Sequence, residues 1–291
     1  MILFLKEVRK MLHVLEHTLI DTIKLLPFLF LAYLVIELIE QKAGDKTTKL
    51  IKRAGKFGPV LGSLLGVVPQ CGFSAAASNL YAGKIITMGT LIAIFLSTSD
   101  EMLPILISEA VPVGTIIMIL AIKVIIAIAV GMIVDLIFRK KQNDETKEEI
   151  HKLCDEEHCH CEEHGIFRSS IIHTLQIFAY ILIISFILNL IIHFVGEETI
   201  ARLVLNVPVL GPVISSLIGL IPNCASSVIL TQVYLENIIS IGSMIAGLLV
   251  NSGIGILILF RVNKSKKENF TILGILYLVG VISGIILDIF M

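Results

Sequence analysis

Charge is scarce in this chain. Only 16% of its 291 residues are Asp, Glu, Lys or Arg, 56% are hydrophobic, and the mean hydropathy is +0.93. A soluble chain of this length needs charges over all its faces. Here they are bunched, and the stretches 18–40, 113–134, 174–195, 238–260 and 270–290 are almost free of them. Each stretch can cross a hydrocarbon core of about 30 Å as a helix. The composition therefore predicts a multi-pass protein of the cell membrane, with lipid rather than nucleic acid around it. The net charge of −1 averages basic loops with one acidic loop and identifies no partner. A clean apolar core with a cleavage site is also missing from residues 1–17. They carry Lys6, Glu7, Arg9, Lys10 and Glu16 and read as a short amphipathic helix, not a cleavable leader. No Gly-x-x-x-x-Gly-Lys-Ser/Thr loop occurs, so ATP drive would need a partner chain.

Disulfide frameworks are disfavoured as well. The five cysteines are odd in number: Cys154, Cys159 and Cys161 cluster in a polar linker, while Cys71 and Cys224 stand in apolar surroundings. That usage suits reduced thiols or metal ligands.

What the chain does have is one stretch written twice. Residues 58–99 and 211–252 are identical at 17 of 42 positions without a gap, at an offset of 153. Each copy interrupts an apolar run with Gly, Pro, Cys and an amide, as Pro69-Gln70-Cys71 and Pro222-Asn223-Cys224. Proline removes a backbone donor and disfavours helix at the residue before it, so helix breaks are expected at Gly66–Pro69 and Gly219–Pro222. Matched broken helices in two halves of a membrane protein point to a transport site. The duplication extends to Gly131…Asp135 and Gly284…Asp288, and the two aspartates are expected to have a solvated or capping role at span ends. The predicted organisation is a first transmembrane repeat over 1–138, a linker over 139–168 and a second repeat over 169–291.

Basic residues orient the halves. Lys42, Lys46, Lys49, Lys52, Arg53 and Lys56 follow the first span, whereas the matching loop 196–207 holds Arg202 with Glu197 and Glu198. Between the last two spans the bias reverses: 108–112 holds Glu109 and no base, and 261–267 holds Arg261, Lys264, Lys266 and Lys267. The positive-inside rule then predicts two inverted repeats. Inversion needs an odd number of crossings per half. The expected fold is all-α, each repeat having three spanning helices and one broken or re-entrant hairpin, with the linker cytoplasmic. Lys6, Arg9 and Lys10 run against this orientation.

Backbone groups freed at a break must find protein, water or a bound ion. Two breaks facing each other would bring together Cys71 and Cys224, the amides of Gln70 and Asn223, and the hydroxyls of Ser74 and Ser227. Thiolates suit soft or borderline metals, and oxygens suit harder ones such as Mn²⁺. Small residues that merely let helices approach are the structural alternative. Asn79 and Gln232 align beyond the breaks, with Ser97, Ser99, Asn251 and Ser252 further on, and all could line a path. Asp100, Glu101 and Lys123 lie in apolar runs of the first half only. An ionisable group at that depth is costly, so these read as an ion pair or a coupling site. In the linker, His151, Cys154, His158, Cys159, His160, Cys161 and His164 place seven ligands in fourteen residues. That composition binds metal in a regulatory or gathering role, although its spacing fits no zinc finger.

Pro-Gln-Cys-Gly-Phe-Ser with Asn-Leu-Tyr-Ala, and Pro-Asn-Cys-Ala-Ser-Ser in the second half, resemble the ten-helix heavy-metal exporters. Those permeases are grouped with the ArsP arsenic permeases and sometimes labelled manganese transporters. The resemblance implies a non-enzymatic efflux permease for Mn²⁺, Zn²⁺ or a trivalent arsenical, with no resident cofactor. Assembly as a homo-oligomer is left open. A transporter or channel for a small organic anion is the alternative. A membrane thiol enzyme is disfavoured, because no histidine lies in either broken segment.

Overall fold

In a computed structural model, the described residues are 57–67, 71–99, 101–145, 166–195 and 210–290, with isolated helical positions between 19 and 34. They form helices and no strand. The first half contributes α1 (Gly58–Gly66), α2 (Cys71–Ala82), α3 (Met88–Ser97), α4 (Met102–Ser108) and α5 (Val113–Glu145). After α6 (Ile166–Val195) come α7 (Leu210–Gly219), α8 (Cys224–Leu235), α9 (Ile241–Val250), α10 (Gly255–Val262) and α11 (Lys266–Phe290). Adding 153 to the first residues of α2, α3, α4 and α5 gives those of α8, α9, α10 and α11. The duplication in sequence is thus a duplication of helix boundaries. The expected N-terminal amphipathic helix, the linker and the basic loop after the first span lie outside the described residues.

The breaks at Gly66 and Gly219 fall where glycine and proline predicted them. Contacts also settle how the broken segments run. Gly58 lies against Thr90 near the start of α3, and Gly66 against Ser97 at its end, so α1 is parallel to α3. Because α2 must come back to the start of α3 through the turn at 83–87, α1 and α2 run in opposite directions. Leu61 and Leu65 of α1 face Phe73, Ala76 and Leu80 of α2 across an apolar groove of about 320 Å³. The second half repeats this course, with Pro212 near Gly284, and Gly219 against Gly247.

The third hydrophobic piece of each half departs from the expected continuous span. Residues 88–108 and 241–262 are each two helices, interrupted at 98–101 and 251–254. No proline lies inside these breaks, although Pro104 stands in the first turn of α4, where its missing amide is tolerated. Asn251 leaves helical geometry at ψ 101°, and Gly253 adopts φ 54°, a left-handed conformation that glycine takes without strain. By length and composition four stretches can cross a membrane among the described residues: 88–108, 113–138, 241–262 and 266–290. Their burial separates them by role. In the most apolar window the interrupted stretches are 71% and 89% buried, against 28% for α5 and 22% for α11. The broken helices therefore form the centre, while α5 and α11 turn residues such as Ile125, Leu136, Leu278 and Ile289 outward. The halves also exchange contacts, since α2 packs on α10 and α8 on α4.

Asp135 and Asp288 have the capping role expected of them. Asp135 accepts hydrogen bonds from the Gly89 amide (2.9 Å) and the Thr87 hydroxyl (2.8 Å), and Asp288 accepts one from the Gly242 amide (3.0 Å). Each carboxylate thus satisfies an orphan donor at the N-terminus of α3 or α9 and complements its dipole. A Cβ at either glycine would come within 2.4 or 2.2 Å of the carboxylate, so the contact requires glycine. Asp135→Ala and Asp288→Ala are each expected to cost about 1–2 kcal/mol in SDS or thermal unfolding of purified protein, with the larger loss at Asp135, which accepts from two donors. A variant as stable as the parent would remove the cap from the stability of that half.

Candidate functional site

Helix interruptions follow α1 and α3 in the first half and α7 and α9 in the second; of their described residues Thr98, Ser99 and 251–254 are buried, while 220–223 are half-buried. With no water from hydrocarbon, their backbone groups must be met by protein or cargo. In the first half the interruptions meet each other, for the Ser99 hydroxyl donates to the Val67 carbonyl. The Thr98 hydroxyl turns back to the Ile94 carbonyl (2.7 Å). In the second half Asn223 is the N-cap of α8, its side-chain oxygen accepting from the Ala225 amide (3.3 Å). The Ser226 hydroxyl donates to the Asn223 carbonyl (2.7 Å) and the Ser227 hydroxyl to the Cys224 carbonyl (2.7 Å). At 251–254 the Asn251 side-chain oxygen accepts from the Gly253 amide (2.9 Å). The same residue's side-chain nitrogen, and the hydroxyls of Ser215 and Ser216, are buried with no hydrogen-bond partner among the described residues.

Lys123 links the halves. It is 0% exposed, and its ammonium donates to the Thr98 carbonyl and, at 3.0 Å, to the Leu248 carbonyl. Thr98 ends α3, and Leu248 lies in the last turn of α9. The ends of α3 and α9 therefore converge on one side chain from α5.

The other residues singled out in the sequence are distributed as follows. Ser74 is fully buried on α2, packed against Gly255 of α10, and its carbonyl accepts from Ser78 (3.0 Å). Ser78 also donates to the Gly255 carbonyl (2.7 Å), which ties the first hairpin to the second half. Asn79 is buried and donates to the Ala75 carbonyl (3.2 Å). Its aligned partner Gln232 is exposed on α8, so the two do not share an environment. Cys224 is half-buried in the first turn of α8. Cys71 opens α2, and its side chain lies outside the described residues, as do Gln70 and Asp100. Glu101 is exposed at the N-cap of α4. His151, Cys154, His158, Cys159, His160, Cys161 and His164 also lie outside the described residues. Among the described residues no three His, Cys, Asp or Glu side chains form a metal cluster.

Sequence reasoning missed the backbone carbonyls of Thr98 and Leu248 as functional groups. The available signal was Thr-Ser-Asp and Asn-Ser-Gly at equivalent places inside two apolar runs. Sequence reasoning also missed a link at the edge of the bundle. The Tyr81 hydroxyl donates to Glu268 (2.9 Å), and Lys84 stands 3.8 Å from the same carboxylate, which joins the end of α2 to the start of α11.

Apolar helices long enough to span a bilayer, around a centre of broken helices rich in buried hydroxyls and amides, define a polytopic membrane protein of the permease class. The chain belongs to the family described as "Putative, 10TM heavy-metal exporter" (ArsP_2), whose profile matches residues 10–206. The match covers the first broken hairpin and ends before Pro222-Asn223-Cys224. No curated protein and no solved structure matches the chain.

Proposed function

We propose that this protein is a secondary permease that exports a heavy metal or metalloid through a site between the two Pro-x-Cys breaks. The observation that carries the reading is the convergence of helix ends from both halves on the buried centre at Lys123. A single crossing pathway needs both halves at the same depth, and duplicated broken helices are how many transporters achieve it. The repeats are inverted, in keeping with hairpins that return to their side of entry and with the reversal of basic loops between the halves. Cys71 and Cys224 supply thiols. Gln70, Ser74, Asn79, Asn223, Ser227 and Gln232 supply neutral oxygen and nitrogen groups along the path.

The cargo is thiol-seeking. Thiols favour a soft or borderline species, a trivalent arsenical or Zn²⁺, over Mn²⁺. Asp100 is two residues from the Thr98 carbonyl that Lys123 binds, and with Glu101 it forms the proposed proton-coupling group. The His/Cys linker gathers metal on the cytoplasmic side.

Purified protein in liposomes tests these points together. Arsenite, Zn²⁺ and Mn²⁺ are compared with and without an imposed pH gradient, for the full chain and for a chain lacking 150–164. Arsenite or Zn²⁺ flux that follows the gradient is expected, and the deletion is expected to raise the concentration needed for half-maximal flux. Movement of none of the three species sinks the permease reading, and flux indifferent to the gradient removes proton coupling.

A further inference from the structure

Two seams join the halves, and they are not alike. At the first, α2 packs closely along α10, where Ser74 meets Gly255 at their starts and the Ser78 hydroxyl bonds the Gly255 carbonyl (2.7 Å). A Cβ at Gly255 would lie 2.9 Å from both Ser74 Cβ and Phe95 Cε1, so this seam is as close as glycine allows. At the second, α8 meets α4 less extensively, and Met102 takes the place of Gly255. Aligned residues record the difference. Asn79, Tyr81 and Ile254 are buried, whereas their counterparts Gln232 and Glu101 are exposed and Tyr234 is half-buried. In the inverted arrangement, α2 and α10 run from the centre to the face carrying Arg261, Lys264, Lys266 and Lys267, and α8 and α4 run to the opposite face.

One side chain with two possible partners closes the first seam. Ser265-Lys266-Lys267-Glu268 at the start of α11 has the residues of a capping box, in which the glutamate turns back to the amide of the serine. Half of that box forms, for the Ser265 hydroxyl oxygen accepts from the Glu268 amide (3.4 Å). The Ser265 amide goes instead to the Asn263 side-chain oxygen (3.4 Å), and the Glu268 carboxylate crosses to α2. There it accepts from the Tyr81 hydroxyl (2.9 Å) and lies 3.8 Å from the Lys84 ammonium, with the Asn263 side-chain nitrogen at 3.5 Å. The counterparts of Tyr81, Lys84 and Glu268 are Tyr234, Asn237 and Thr115, so the second seam has no carboxylate at that place.

We infer that the α2–α10 seam is a gate on the basic face, shut in this structure, and that Glu268 is its latch. The carboxylate holds Tyr81 and Lys84 while the gate is shut and returns to the Ser265 amide when it opens. It trades one set of donors for another and is never left buried and unpaired, which keeps the difference between the two states small. Glu268 is a positioning residue: it sets which face reaches the centre and touches no cargo. The inference rests on the permease reading, since only a path through the membrane needs a gate.

The test reads accessibility and needs no cargo, so a failed latch is told apart from a failed permease, which shows only in liposome flux. The full-length chain carries serine at its five cysteines. Asn79→Cys and Gln232→Cys then report the two seams to a membrane-impermeant maleimide applied from each face of membrane vesicles. With Glu268 in place, Gln232→Cys should react from the face opposite the basic loop, and Asn79→Cys hardly from either. Glu268→Ala should raise labelling of Asn79→Cys from the basic face about 10-fold, the worth of one hydrogen bond to a charged group, while Gln232→Cys stays level or falls. Tyr81→Phe, which removes only the hydroxyl, should raise it by a smaller factor. If Asn79→Cys does not accumulate, Ile254→Cys on the same seam is read in its place. Unchanged labelling at the first seam overturns the latch. So does an equal rise at both seams, which would mean that Glu268 only stabilises the fold.

Discussion

Replacing Cys224 with alanine is expected to lower metal or metalloid efflux at least about 10-fold while leaving the fold in place. Even the loss of outer-sphere support costs a metal site about 10–100-fold, and a directly ligating thiol costs no less. The fold survives because the local bonds do not use the sulfur. Asn223 caps α8 through its own side chain, and Ser227 bonds the Cys224 carbonyl, so both contacts persist in the variant. Cys224 is also only half-buried, which keeps the cavity small. Cys71→Ala is expected to behave the same way, because its place at the start of α2 repeats that of Cys224 on α8. Serine separates the substrates. It conserves size but replaces a soft ligand with a hard one, so Cys224→Ser should lose arsenite or Zn²⁺ flux and keep Mn²⁺ flux. Wild-type transport of every substrate by the doubly substituted Cys71→Ala, Cys224→Ala chain would remove the thiols from the mechanism.

Bulk added at Gly131 and Gly284 is expected to be among the most damaging changes outside the site. A Cβ at Gly131 would lie 2.7 Å from the Gly89 carbonyl oxygen, 2.8 Å from Ala93 Cβ and 2.9 Å from Pro59 Cβ. At Gly284 it would meet the equivalents, with Gly242 oxygen at 2.8 Å, Ala246 Cβ at 2.6 Å and Pro212 Cβ at 2.9 Å. Backbone oxygens and proline rings cannot rotate aside, so the outer helix must move off the core. Each alanine should cost about 1–3 kcal/mol, and the double variant about the sum, since the two contacts share no partner. Leucine at either position should prevent recovery of folded protein. Gly114 and Gly274 provide the control, for a Cβ there meets nothing within 4 Å. Alanine at those helical positions should be neutral or stabilise by about 0.5–1 kcal/mol. SDS unfolding of the four single variants distinguishes close helix contact from general glycine preference. Equal effects at all four would mean that the close approach does not matter.

Much of this architecture could be read from residue types alone, because the forces behind it are local. Scarce, bunched charge determined the membrane class, since hydrocarbon admits little else. Repetition of Gly-Pro and Pro-x-Cys determined both hairpin breaks, because proline acts on its own helix turn whatever surrounds it. Aspartates four residues after Gly131 and Gly284 could be read as caps, but which helix each one caps, 46 residues away in sequence, was decided by the fold. The second pair of breaks, at 98–101 and 251–254, was a different matter. Neither repeats the Pro-x-Cys motif, and their signals, Pro104 in the first turn of α4 and Gly253 inside the second break, are weaker than a matched pair. Of the carbonyls freed there, those of Thr98 and Leu248 accept from Lys123, 25 and 125 residues away in sequence. Likewise, aligned Asn79 and Gln232 came to differ, one buried and one exposed, because α2 rests on α10 while α8 rests on the shorter α4. Where a helix must stop was written into its own residues. Where it is permitted to stop depended on a partner brought to it by the fold, because a buried backbone group without a partner costs more than a break gains.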